Sequence, residues 1–137
     1  MRVMVDLNVL LDVAQQREPF YAASAAVLSQ AVEGPNKACL PGHLLTTLYY
    51  IVAKYAGPTK AGTLVDWALE HLEVVPQDRA QFIRARSLRI SDFEDAALAS
   101  AAEASGCELI ITRNVADFGS SPVPAVTPEE FLAATPS

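Results

Sequence analysis

The chain has 137 residues; a chain of that size buries roughly 68% of its unfolded surface, which favours one domain over 1–137 with a real core. Hydrophobic residues make up 51% and no apolar run nears the ~20 residues of a membrane span, so a membrane-spanning chain is excluded. A net charge of −6 argues against a passive, electrostatically driven nucleic-acid binder, though not against an enzyme whose bound cation meets phosphate.

Met1 leads directly into the strand-like RVMVD (2–6), without the basic and apolar regions of a signal peptide, so a cytoplasmic protein is expected. NVLLDVAQ (8–15) reads as a helix start with Asn8 placed to cap it, and Asp12 reads as a solvated helix residue. Phe20, Ala23, Val27, Leu28 and Ala31 recur at helical spacing until Gly34-Pro35-Asn36 breaks the pattern. KACLP (37–41) is a second strand. Leu44, Leu48, Ile51, Val52 and Tyr55 mark an amphipathic helix ended by Gly57-Pro58, and Ala61, Leu64, Val65, Ala68 and Leu72 mark the next. Tyr49 and Tyr50 read as core or interface aromatics.

LEVVP (72–76) is a third strand, followed by a charged helix near 78–87. Ser91 and Glu94 have the S-x-x-E spacing of a capping box, opening an Ala-rich helix that runs to about Ser105, where Gly106 supplies a left-handed stop. CELIIT (107–112) and VPAV (123–126) are the fourth and fifth strands, and Thr127-Pro128-Glu129-Glu130 repeats the capping-box signal with Pro at the first helical position. Strands alternating with helices predict an α/β fold with a mainly parallel sheet. Cys39 and Cys107 are too few for a disulfide framework and are expected as buried free thiols on non-adjacent strands, too far apart to bridge.

In a parallel α/β unit, helices that follow strands begin at the carboxyl edge of the sheet, and so do helices that lead into strands, because they run antiparallel to them. Asp6 closes the first strand, Asp92 and Asp95 open the helix entering the fourth, and Thr112, Arg113, Asn114 and Asp117 follow it. All are thereby placed at the edge where open α/β sheets bind ligands. Asp92 and Asp95 are three apart and share a helix face. Crowded carboxylates repel unless a cation or protons intervene, and hard oxygen ligands suit magnesium or manganese. Taken singly, each acid also has a plainer reading as a helix cap, a dipole partner or a turn residue.

Two segments carry a family resemblance. MVDLNVLLD (4–12) resembles the opening D-x-N-hydrophobic motif of PIN-domain nucleases, and DAALASAAEASGCELIITRNVADF (95–118) resembles their second signature, closed by T-R-N-x-x-D-F. The likeness is closest to VapC-like toxins of toxin–antitoxin pairs and their uncharacterised relatives. It implies a three-layer α/β/α fold with about five strands in a mainly parallel sheet, and an acid cluster holding Mg2+ or Mn2+. Carried over by position, it implies Asp6, Asp95 and Asp117 as catalytic and metal-binding acids, with Asp92 an added ligand or a support to them. It also implies that Asn8 braces the first loop and that Thr112 and Asn114 flank the site. The family often carries a Glu where Thr47 stands here, so Asp92 is a candidate to supply the missing carboxylate.

The function implied is a divalent-metal-dependent endoribonuclease that hydrolyses RNA with metal-activated water. Arg113, the basic residue nearest the site in sequence, is a candidate to touch substrate phosphate, as are Arg84, Arg86 and Arg89, whose plainer reading is as solvated or surface-paired charges. The resemblance further implies a small antitoxin protein that blocks the acidic site, and leaves room for a homodimer. The alternative is a catalytically weakened PIN-like module that binds RNA or protein, motivated by Thr47 and the low basic content. An aspartyl phosphatase ranks last, since Asp6-Leu7-Asn8 lacks the second acid of D-x-D.

Overall fold

The computed structural model describes residues 1–134. In chain order these form β1 (Arg2–Val5), α1 (Leu7–Ala14), α2 (Tyr21–Glu33), β2 (Lys37–Pro41), α3 (Gly42–Ala56), α4 (Pro58–His71), β3 (Glu73–Val75), α5 (Arg79–Ser87), α6 (Phe93–Ala104), β4 (Leu109–Ile111), a 3-10 turn (Val115–Phe118), β5 (Ala125–Val126) and α7 (Pro128–Ala134). Every strand pair is parallel and the spatial order is β3-β2-β1-β4-β5. The chain therefore winds outward from β1 to β3, then returns to lay β4 on the other side of β1. That reversal makes the β1/β4 boundary the topological switch point, where the loops leaving the two strands part and open a crevice. Right-handed crossovers in opposite directions put helices on opposite faces. Packing agrees: α1, α2, α3, α4 and α7 contact one another in series, whereas α5 and α6 pair and α6 lies across β1, β2 and β4.

The central strands are buried on both faces, with Val3, Met4, Val5, Leu40, Ile110 and Ile111 essentially without solvent. This is why they read as continuous apolar runs and not as alternating ones. The Ala-rich segment of α6 is buried from Ala96 to Ala102, enclosed between the sheet and α5. Small side chains there let the helix axis approach the sheet closely, so its first turn is held firmly at the carboxyl edge. Gly106 (φ 71°) closes α6 as expected: Cys107 N–H donates to Ala102 O and Gly106 N–H to Glu103 O, the paired bonds of a Schellman stop. The Thr127 box forms reciprocally, Thr127 N–H to Glu130 Oε1 at 3.0 Å and Glu130 N–H to Thr127 Oγ1 at 3.0 Å.

Several local expectations are corrected. Asp6, not Asn8, caps α1. Ser91 does not cap α6; Asp92 does, its Oδ1 accepting from Asp95 N–H at 3.0 Å. Asp caps as well as Ser, and starting the helix one residue later leaves Glu94 free to face the crevice. Asp12 is fully buried instead of solvated. Tyr49, Tyr50 and Tyr55 are exposed, which removes the core reading for them. Both cysteines are buried and free. β1 does separate β2, which carries Cys39, from β4, which Cys107 precedes, yet the two thiols interact: the Cys39 thiol keeps its proton and donates toward Cys107, and this together with burial pushes its pKa well up.

Candidate active site

The crevice at the β1/β4 boundary has a volume of about 230 Å³. It is lined by Asp6, Asn8, Asp92, Glu94, Asp95 and Asn114, with Leu7, Leu11 and Leu44 forming its apolar wall. A larger groove of about 410 Å³, walled by side chains such as Leu10, Leu28, Val32 and Trp67, has one carboxylate, Glu33, and no cluster of reactive groups.

Asp6 is the anchor of the crevice. It leaves β1 in extended backbone, its N–H still paired with Ile111 O at 3.0 Å. Only 7% exposed, it uses Oδ1 to accept from Leu7 N–H at 2.7 Å, while Oδ2 accepts from the Thr112 hydroxyl at 2.8 Å and from Asn8 Nδ2 at 3.4 Å. Thr112 is fully buried at the end of β4 and its Oγ1 also accepts from Asn114 N–H at 3.0 Å. Asn8 bridges the two loops: Nδ2 reaches Thr112 Oγ1 at 3.3 Å and Oδ1 accepts from Arg113 N–H at 3.4 Å. Each partner of Asp6 is a neutral donor. They fix its direction without cancelling its charge.

Burial drives the Asp6 pKa up, with Asp117 and Glu94 adding to the rise, against the lowering hydrogen bonds from Thr112 and Leu7. Asp95, half-buried in the first turn of α6, is pushed up to about 7 by burial and then by the carboxylates of Asp6, Asp92, Asp117 and Glu94. Asp117 sits exposed on the 3-10 turn, outside the lining of the crevice but near enough to act on both Asp6 and Asp95. Among the described residues, no three acidic, His or Cys side chains form a ready-made metal cluster; the acids share the crevice without closing on one point. The donor set nevertheless suits a hard divalent cation. It is all oxygen apart from the side-chain amide nitrogens, and no Lys, Arg or His lines the crevice.

Two expected site residues are engaged elsewhere. Thr47, one turn along α3 from the lining residue Leu44, gives its hydroxyl to His43 O at 3.3 Å and does not line the crevice. Arg113 donates through Nε to Asp12 Oδ2 at 2.8 Å and stacks its guanidinium 4.1 Å above the centre of the Phe20 ring. Glu94 lines the crevice although its sequence spacing assigns it to a cap; the acid-rich run Asp92 to Asp95 was the available signal, but helix phase decides which of those acids face inward.

The comparisons follow the same lines. Residues 2–116 match the family described as PIN domain. Over 135 residues the chain is 27% identical to Ribonuclease VapC1 of Aquifex aeolicus, covering 95% of this chain and 92% of that protein. Its fold is similar to that in the DNA-bound VapBC of Salmonella typhimurium, with a TM-score of 0.72 at 18% identity, covering 93% of this chain and 98% of the other. A toxin–antitoxin complex from Klebsiella pneumoniae matches with a TM-score of 0.70 at 22% identity, covering 92% and 97%. With the family model matched over residues 2–116 and the all-parallel five-stranded sheet, the chain belongs to the PIN domain family.

Proposed function

We propose that this chain is a divalent-metal-dependent endoribonuclease that hydrolyses RNA phosphodiesters, the toxin of a toxin–antitoxin pair. The observation that carries the reading is the gathering of Asp6, Asp92, Glu94 and Asp95 in one crevice with no cationic side chain among them. Family membership and the likeness to a protein named as a ribonuclease support the same reaction.

Asp6 and Asp95, with Asp117 and Asp92, would hold Mg2+ or Mn2+. Such an ion, when bound, supplies a water of lowered pKa and polarises the phosphodiester. The chain's own residues do the aiming. Thr112 and Asn8 fix the rotamer of Asp6, Asp92 sets the start of α6 by capping it, and the buried alanines keep Asp95 at the sheet edge. Asn114, held through its backbone by Thr112, presents a neutral amide at the rim. Arg113 serves as a brace through Asp12, and we assign phosphate contact to other residues.

Likeness to solved toxin–antitoxin complexes supports a small antitoxin partner. The exposed Tyr49, Tyr50 and Tyr55 offer a surface for it or for a second copy of the chain. Among the described residues no helix is long and apolar enough to cross a membrane; the cytoplasm is the proposed place of action.

The test is RNA cleavage with magnesium or manganese by wild type, Asp6→Asn and Asp95→Asn. Loss of cleavage in both variants is expected, and undiminished cleavage in both sinks the assignment. A second reading, a weakened binding module, draws on Thr47, which provides no carboxylate. Calorimetric titration separates the two: absence of divalent-ion binding at millimolar concentration favours the module.

A further inference from the structure

The segment 79–89 contains Arg79, Arg84, Arg86 and Arg89 and no acid, four of the ten Lys and Arg residues in a chain of net charge −6. Within α5, Arg79, Ile83 and Arg86 fall at i, i+4 and i+7 and share one exposed face. Arg84 is turned away from it by a two-pronged pair with Glu103, at 3.0 and 3.2 Å. Arg79, Arg86 and Arg89 have no ion-pair partner among the described residues. α5 is tied along α6 by that pair and by Ser100 Oγ to Gln81 O at 2.8 Å. At the junction stands Phe93, 46% exposed, tilted against Phe82 with ring centres 6.2 Å apart. It lies in sequence between Asp92 and Glu94, two residues that line the acidic crevice.

We propose that this face, Arg79, Ile83 and Arg86 together with Arg89 and the Phe93 ring, is a track that holds a single-stranded stretch of RNA and feeds it to the acidic crevice. The inference rests on the ribonuclease reading and names how that substrate is held. A crevice of carboxylates on an acidic protein repels phosphate, so a substrate strand needs an attractive path to reach it. Unpaired arginines supply phosphate contacts, and an exposed aromatic face supplies stacking for a base, a combination that tolerates many sequences. Protein interfaces also use Arg and aromatic side chains; the RNA strand is favoured because the unpaired arginines and the Phe93 ring adjoin, in sequence, the acids that line the crevice.

The experiment measures binding of a short fluorescent single-stranded RNA of mixed sequence by anisotropy, without divalent ions, over a range of salt. The triple variant Arg79→Ala, Arg86→Ala, Arg89→Ala is expected to bind about a hundredfold more weakly at low salt and to lower the slope of log affinity against log salt by roughly 2, near 0.7 per lost contact. Phe93→Ala is expected to bind about tenfold more weakly with the slope unchanged, and Phe93→Tyr to restore affinity. Lys54→Ala with Lys60→Ala, exposed cations on α3 and α4, is expected to leave both unchanged. Wild-type affinity and slope in the triple variant overturn the track, as does a triple variant that loses only a co-expressed protein partner. If cleavage still depends on Asp6 in that case, the ribonuclease reading stands alone. A wild-type chain that neither binds nor cleaves RNA overturns both.

Discussion

Asp6 caps a short helix that contains Asp12, and both are nearly removed from solvent, yet they meet opposite company. Asp12, fully buried within α1, faces the Arg113 guanidinium at 2.8 Å, the Arg17 guanidinium at 4.0 Å and the Ser24 hydroxyl at 3.3 Å. Asp6, six residues earlier, faces a hydroxyl, an amide and a backbone N–H, and beyond them other carboxylates. One buried charge is answered inside the protein; the other is aimed and left unanswered. Burying a carboxylate is costly unless it is paired, so the Asp12 site is structural, joining α1 to the loop after β4. The Asp6 site keeps its electrostatic cost, which a bound cation would relieve.

The largest effect that sharpens this contrast is on folding. Arg113→Ala removes the cation from a buried carboxylate and is expected to cost about 3 kcal/mol in urea unfolding. Asp6→Asn in metal-free protein is expected to change stability by less than about 1 kcal/mol. Equal destabilisation by the two would break the contrast.

Next in size is Thr112→Val, which keeps volume but deletes the hydroxyl that orients Asp6. Metal affinity and cleavage rate are expected to fall about tenfold or more. Unchanged affinity would show that Asp6 needs no brace.

Asp92 separates cap from ligand. Asn caps as well as Asp, so Asp92→Asn should leave stability intact, whereas Asp92→Ala should cost about 1 kcal/mol. A fall in metal affinity for Asp92→Asn, measured by calorimetry, identifies the carboxylate as a ligand; unchanged affinity leaves it a cap alone.

The remaining effect is in pH dependence. The Asp95 pKa is raised from 3.8 to about 7 in the folded chain. The folded state therefore binds this proton where the unfolded state does not, and stability rises as pH falls from above 7 toward 4, where the gain is complete. The difference in unfolding free energy between wild type and Asp95→Asn, followed by denaturant titration in chelator, should show that slope; a flat difference would remove the crowding of acids around Asp95.

The elements were legible because their signals are local. The second strand, Lys37–Pro41, coincides with KACLP, Gly106 stops α6 because only a residue tolerant of positive φ fits there, and the Thr127 box closes as its spacing requires. Parallel connectivity then carried Asp6, Asp95 and Thr112 to one edge without coordinates. The failures share a cause. Ser91 and Asp92 both have the chemistry of a cap, and local spacing cannot choose between neighbours that cap equally well. Asp12 and Arg113 are 101 residues apart, so their pairing has no local signature, and an acid on a helix reads as solvated until its partner is known.

Pattern and spacing along the chain thus determined the α/β class, the order of strands and helices and the placing of Asp6, Asp92 and Asp95 at the carboxyl edge. Which of those acids are turned inward, which caps the helix and which charge is neutralised by Arg113 depended on helix phase and on contacts between residues far apart in sequence. Local free-energy differences among such alternatives are of order 1 kcal/mol. Burying a charge costs several times that unless it is paired, so the packed fold settles what the local sequence leaves nearly balanced.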